Sequence, residues 1–532
     1  MKPAPEILPN DMGALRALVL AERAERARLD AQAQTLQAEV TRLTALNERL
    51  DHIIAQLRRL QFGRRSEALD SDQLQLGLED LEGAAAEIEV AREKADLGLR
   101  RERIRRRREG RPSLPAHLPQ VEVVIEPEST LCPCCSAAMH VIGADVSRRL
   151  DVIPAQYQVL VTRRPKYACR ACEGTVVQAP APARLIEGGL PTERLVAQVL
   201  VGKYADHCPL YRQTQGFARH GIELDRSTLA FWTGYAAAEL KPLWRWMRDD
   251  LRSSRQLFVD ETRAPVLEPG RGRTRTGYFW AIARDDRGWG GSDPPAVVYT
   301  YAPGRGAEHA TALLKGFSGI LQTDGYGAYK ALVHAARPSN AITLAHCWAH
   351  ARRRFFELAK SGSAPIAAEA LRRIAELYAI EAEVRGQDTE TRRVVREKRA
   401  RPLVEDLKLW LEARLREVAG RSPIAEAIRY TLARWIGLTH FLDDGRIELD
   451  TNPVERTIRP IALNRKNSLF AGSHEGAENW AVLATLVECC KLHSVNPTAY
   501  LTDVLTHLVN GHRESRLGEL TPWAWAPAAA KS

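Results

Sequence analysis

The chain has 532 residues, 45% hydrophobic and 27% charged, with 76 Lys and Arg against 66 Asp and Glu for a formal charge of +10. Such a length exceeds one ordinary core and predicts three or four structural units, and the basic balance predicts a polyanionic partner, nucleic acid ahead of an acidic membrane surface. With no apolar h-region at the N-terminus and no run near the roughly 18 apolar residues of a membrane span, the chain reads as cytoplasmic, neither secreted nor inserted.

Leu29, Leu36, Leu43, Leu50 and Leu57 recur at heptad spacing, with Ala33, Val40, Asn47 and Ile54 between them. This seam predicts a coiled coil over 13–60 and a homo-oligomer formed through it, Asn47 fixing register among apolar a positions. A charged helix and a basic linker follow over 61–118, where the run Arg100 to Arg111 gives way to prolines that cannot continue a helix.

Nine cysteines in a cytoplasmic chain indicate metal ligation or buried thiols more than disulfides. Cys132 and Cys135 form one C-x-x-C knuckle, and Cys169 and Cys172 another. Four thiolates so placed predict a structural Zn²⁺ in a small domain over 119–185. Cys134 is an alternative ligand to Cys135, and a redox pair is the competing reading.

Residues 190–250 read as a helix, a turn at Gly221 and a second helix capped near Asp225 to Ser227. This is a helix-turn-helix-like segment whose second helix is a candidate groove reader, with Leu210, Phe217, Leu229 and Trp232 as core.

From Leu257 the periodicity turns to strands. "RQLFVDET" ends at Asp260, "TGYFWAIARD" and "AVVYTYAP" follow, "EHATALLKGF" is helical, and "SGILQTDGYGAY" is a strand ending at Asp324. "AITLAHCWAHARRRFFELAK" is a strand leading into a basic helix, so the unit predicts a mixed sheet flanked by helices. Carboxylates at strand ends suit hard divalent cations, and two such ions about 3.5 to 4 Å apart serve phosphodiester chemistry. The structural alternative for either aspartate is a turn residue. Glu261 neighbours Asp260 but faces the other side of the strand. His346 and His350 suit packing or phosphate contact, and Cys347, Cys489 and Cys490 read as buried thiols. Late in the chain, Glu455 stands among Arg456, Arg459, Arg465 and Lys466; Asn452 reads as the N-cap of its helix and Pro453 as the first helical position. Asp450 is the substitute acid.

Taken in order, "VDET", "LQTDGYGAY", "HCWAHARRRFFE" and "NPVERTIRPIALNRKNSLFAGS" resemble the transposases of insertion sequence family 66. The resemblance covers nearly the whole chain. It implies a multidomain α/β protein with an N-terminal coiled coil, a small zinc-binding domain, a helix-turn-helix-like segment and a ribonuclease-H-like mixed-sheet catalytic core. That core would span 255–480, with a helical insertion at about 366–440 and a C-terminal tail over 481–532. The implied triad is Asp260, Asp324 and Glu455, ligands to two Mg²⁺ or Mn²⁺ ions. Arg456, Arg459, Arg465, Lys466, Arg352 and Arg353 would hold DNA phosphates. The implied reaction is strand cleavage at insertion-sequence ends followed by transfer into target DNA. Implied partners are the terminal inverted repeats, target DNA and small companion proteins of the same element, in the nucleoid of a bacterial cytoplasm. Two other readings stay open: a metal-dependent nuclease without joining, and a non-catalytic DNA-binding derivative. One departure is Asn464, where members of the family commonly have glycine before "RKN"; Asn tolerates the left-handed backbone that glycine would suggest.

Overall fold

The computed structural model describes residues 11–62, 156–168, 176–267, 274–335, 341–360, 364–468 and 470–526, with isolated positions between them. Cys132, Cys135, Cys169 and Cys172, and most of the expected linker over 61–118, lie outside the described residues. The chain divides into two compact units, Met1–Arg163 and Arg164–Ser532.

In the first unit, α1 runs from Met12 to Phe62, 51 residues and about 77 Å at 1.5 Å per residue. Its heptad positions Leu29, Leu36 and Val40 are exposed.

The second unit begins with a short antiparallel pair, β1 (Lys166–Ala168) and β2 (Val176–Gln178). Three helices follow. Thr192 caps α2 (Glu193–Tyr204) by accepting from the Leu195 amide at 3.3 Å. Next come α3 (Leu210–Ala218) and α4 (Arg226–Arg252), joined through Gly221 at φ +73°, with Asp225 at the N-cap of α4. Leu210, Phe217, Leu229 and Trp232 are buried, and the helices share one hydrophobic core with the sheet that follows.

That sheet has the order β5-β4-β3-β6-β7. The strands β3 (Gln256–Val266), β4 (Arg275–Arg284) and β5 (Ala296–Ala302) form an antiparallel meander, and β6 (Gly319–Thr323) and β7 (Ile342–His346) add on parallel to β3. Between them lie α5 (Ala307–Leu313) and α6 (Ala328–Ala335), and after β7 comes α7 (Trp348–Ala359). One expectation needs correction. Asp260 does not end its strand: β3 runs six residues further, because antiparallel pairing with β4 continues to Val266↔Arg275 after parallel pairing with β6 has stopped at Phe258↔Gln322.

The insertion is all-helical: α8 (Pro365–Val384), α9 (Thr389–Val395), a π turn (Arg396–Ala400), α10 (Arg401–Glu417), α11 (Pro423–Leu432) and α12 (Trp435–Thr439). These helices build a second core against α7 and the β6 and β7 side of the sheet, through Ile320, Ala345, Trp348 and Phe355. Deep within it, Arg392 and Arg396 are fully buried around Glu381.

The chain then enters α13 (Asn452–Ser468), α14 (His474–Leu492) and α15 (Pro497–Val509). The boundary expected at residue 480 falls inside α14, and the segment expected as a tail supplies Leu483, Leu486, Val487, Tyr500 and Leu501 to the first core. α14 also closes the outer edge of β5. Cys489 Sγ accepts from the Val297 amide at 3.4 Å and donates to its carbonyl at 3.2 Å, and Thr485 Oγ1 accepts from the Tyr299 amide at 3.0 Å. Trp244 Nε1 of α4 donates to the Tyr299 carbonyl at 2.9 Å. Side chains thus satisfy the backbone groups that a bare edge strand would offer to other chains.

Candidate active site

The parallel register brings two acids to the same end of neighbouring strands. Gln256, Leu257 and Phe258 of β3 pair with Ile320, Leu321 and Gln322 of β6. Asp260 and Asp324 each lie two residues beyond the last pair, and the charge of Asp324 is felt at Asp260. The site lies at the carboxyl end of the parallel strands, where open α/β sheets bind ligands.

The loop carrying Asp324 is tightly held. Asp324 Oδ1 accepts from the Tyr326 amide at 2.7 Å, and Gly325 takes φ +85°. Helix α11 and the residues just past it grip this turn from the insertion side: Tyr430 Oη donates to the Asp324 carbonyl at 3.2 Å, and Arg434 Nη2 to that of Gly325 at 3.1 Å. The Arg434 guanidinium also stacks 3.7 Å over the Tyr430 ring. The sequence showed no pattern marking Tyr430 or Arg434 for this task; only the fold brings them here.

Glu455 comes from the first turn of α13. The cap is Thr451, not Asn452 as expected: the amides of Val454 and Glu455 donate to the Thr451 carbonyl, each at 3.1 Å. The Asn452 amide is taken up instead by Asp450 Oδ1 at 3.1 Å. Thr451 Oγ1 donates to Glu455 Oε1 at 2.9 Å, and His350 Nδ1 of α7 lies 3.6 Å from the same oxygen.

Burial first, then the charges of Glu261, Asp324 and Glu455, push the Asp260 carboxyl up to about 8, against the hydrogen bond it accepts from the Glu261 amide. The neighbouring Glu261 is engaged by other partners: Arg305 Nε donates to it at 2.6 Å and Tyr329 Oη at 2.7 Å. The all-oxygen donor set of Asp260, Asp324 and Glu455 suits a hard divalent cation, whose charge would relieve the mutual repulsion.

The basic residues divide into two groups. Arg456, Arg459 and Lys466 of α13, and Arg352 and Arg353 of α7, are exposed. Arg465 is half-buried and donates through Nη1 to the Arg263 carbonyl of β3, which ties α13 to the strand that carries Asp260. Asn464 is helical and buried inside α13, so the left-handed backbone considered for it is not present.

Comparisons with known proteins agree in order along the chain. A family model described as Transposase IS66 family matches residues 188–479. A leucine-zipper model described as transposase C of IS166 homeodomain matches 49–123, the zinc-finger binding domain of transposase IS66 matches 129–173, and the IS66 C-terminal element matches 485–523. The uncharacterized protein y4qI of Sinorhizobium fredii is 44% identical over 537 residues, covering 98% of each chain. A second from the same organism, y4jD, is 45% identical over 501 residues, 92% of this chain and 97% of its own. Matched in this way from its zipper to its C-terminal element, the chain belongs to the IS66 family of transposases.

Proposed function

We propose that the chain cleaves DNA strands at the ends of an insertion sequence and joins them to target DNA, with Asp260, Asp324 and Glu455 as an Asp-Asp-Glu triad on a ribonuclease-H-like sheet. What supports this reading is that Asp260 and Asp324 each follow the last β3–β6 pair by two residues, and that the charges of Asp324 and Glu455 are felt at Asp260. A meander of three antiparallel strands with two parallel strands added beside the first supports the fold assignment.

Asp260, Asp324 and Glu455 would hold Mg²⁺ or Mn²⁺, two ions in the full site. A divalent cation there supplies Lewis-acid activation of the attacking oxygen and charge neutralisation at the scissile phosphate. The protein residues set the stage. Asp260 gives up its proton on entering the ligand set, and the Thr451 hydroxyl orients Glu455. Arg456, Arg459, Lys466, Arg352 and Arg353 position the DNA backbone without reading its sequence. Arg465 leaves that group, since its guanidinium serves β3. Sequence reading of the terminal repeats falls to the zinc unit of Cys132, Cys135, Cys169 and Cys172 and to the helices of 190–250. Self-association falls to α1. Companion proteins of the element complete the assembly in the bacterial cytoplasm, at the nucleoid.

The test incubates the full-length protein with labelled element-end DNA, target DNA and Mg²⁺, beside an Asp324→Asn variant. Joined products that vanish in the variant support the proposal. Nicking without joining replaces it with a nuclease, and a variant as active as the parent removes Asp324 from the triad.

A further inference from the structure

We propose that Cys347, His350 and Glu455 form a second metal site, selective for Zn²⁺, whose filling draws Glu455 away from Asp260 and Asp324. One thiol sulfur, one imidazole nitrogen and one carboxylate oxygen from these residues lie within 4.8 Å of one another. The mixture of donors sets the metal. Sulfur and nitrogen ligands suit Zn²⁺ and are poor partners for Mg²⁺, which the neighbouring all-oxygen set suits. Three protein ligands leave a fourth tetrahedral position for water.

The framework around the donors is already fixed. Cys347 is the N-cap of α7, and His350 lies three residues on, on the same side of that helix. The start of α7 is pinned to the approach of α13: the Trp348 amide donates to the Leu449 carbonyl at 2.8 Å, and the Thr451 amide to Cys347 Sγ at 3.3 Å. A metal entering this set takes the thiolate, the thiol proton leaving to solvent. Among the described residues, His350 Nδ1 is buried without a hydrogen-bond partner, 3.6 Å from Glu455 Oε1. A buried nitrogen left unpaired beside a carboxylate and a thiol is a ligand position waiting for a cation. Tetrahedral zinc ligands stand roughly 3.5 Å apart, and His350 Nδ1 and Glu455 Oε1 already lie 3.6 Å apart.

The consequence for the triad rests on the proposed function; the metal site itself does not. Zinc held here engages the oxygen that the triad needs, so it opposes Mg²⁺ or Mn²⁺ at Asp260 and Asp324.

Two measurements on the full-length protein test this, with His350→Ala and Cys347→Ala compared to the parent and folding checked by circular dichroism. First, after equilibration with Zn²⁺ in excess Mg²⁺, the parent should hold about one more zinc per chain than either variant, beyond the zinc of the cysteine knuckles. Equal counts in the parent and a folded His350→Ala overturn the site. Second, Mn²⁺ binding, read from the paramagnetic resonance of the free ion, should fall at least about tenfold in affinity when Zn²⁺ is added to the parent, and stay unchanged in His350→Ala. Parent protein that binds both ions together, or a variant equally sensitive to zinc, overturns the competition. Neither readout needs turnover, so a failure of strand joining would count against the proposed function alone.

Discussion

Gln322 and the backbone of Glu448 exchange two hydrogen bonds: the glutamine Nε2 donates to the Glu448 carbonyl at 2.9 Å, and the Glu448 amide donates back to Oε1 at 2.9 Å. Gln322 lies two residues before Asp324, and Glu448 seven before Glu455, so this buried pairing links the strand of one acid to the approach of another. Replacing Gln322 by Leu keeps the volume and removes both bonds, together with the one Oε1 accepts from Gln256 Nε2 at 2.7 Å. The expected result is a cleavage rate at least about tenfold lower at saturating Mg²⁺, about 1.4 kcal/mol in the barrier, with DNA affinity unchanged. Single-turnover cleavage and a binding titration check it; a parallel loss of DNA affinity would show that Gln322 does not act on geometry alone.

The Glu448 carboxylate continues this connection into the insertion. Arg392, fully buried, donates to it at 2.8 Å and also pairs with Glu381. Arg392→Met leaves two buried carboxylates short of a cation. Removing one member of such a group costs about 3 to 5 kcal/mol, far more than the few tenths lost at an exposed helix pair. Thermal unfolding should show a clear drop for Arg392→Met and almost none for Arg372→Met, whose ion pairs are exposed.

Asp260 makes the metal-free protein sensitive to pH. Its carboxyl titrates near 8 in the fold and near 4 in the unfolded chain, so between those values the folded state holds a proton that the unfolded state has lost. This contribution to stability is fully present below about pH 4 and is lost as pH rises to about 8. Without divalent cation, the melting temperature of the parent should fall more over pH 5 to 8 than that of Asp260→Asn. Mg²⁺ should displace the proton, and its affinity should rise across the same window; calorimetry in buffers of different ionisation enthalpy reads the proton released.

Gly325 tests the turn that carries Asp324. A Cβ there would meet Arg434 Nε at 2.5 Å, and the positive φ disfavours any side chain by roughly 1 to 2 kcal/mol. Gly325→Ala should lower cleavage at least about tenfold while DNA binding and far-ultraviolet dichroism persist. Unchanged cleavage would show that the turn tolerates displacement.

Thr485 tests the closed edge of the sheet. Thr485→Val keeps the shape and orphans the Tyr299 amide, a cost of about 1 to 3 kcal/mol, whereas Thr485→Ser retains the hydroxyl. Thermal melts should place the serine variant near the parent and the valine variant below it.

The order of strands and helices could be read from local patterns because "LFVDE", "ILQTD" and "AVVYTYA" are short apolar runs with polar punctuation. Asp260 and Asp324 were legible as candidates for the same reason, while Glu455 was legible as a helix-start residue and joined them only through the family resemblance. Other features follow from tertiary context. β3 continues through Glu261, Thr262 and Arg263, a polar run that is strand only because β4 pairs with it. In "TETRRVVREKRA", Arg392 and Arg396 are wholly buried because Glu381 and Glu448 arrive from elsewhere. α14 reads as a tail because burial on all sides leaves it no amphipathic signal. Thr451 takes the cap from Asn452, its carbonyl accepting from the Val454 and Glu455 amides.

The bond from Arg465 to the Arg263 carbonyl has a bearing on how variants of this protein should be interpreted. Beside it, Ala471 exchanges backbone bonds with Pro265 and Leu267, each at 2.9 Å, so α13 and β3 resemble the arms of a calliper closed at one end, with Glu455 near the open tip of one arm and Asp260 midway along the other. An alanine scan of basic side chains would find Arg465 essential and file it with the DNA contacts. Its loss would instead widen the gap between Glu455, ten residues before Arg465, and Asp260, three residues before Arg263, and the defect would yield to higher metal concentration rather than to lower salt.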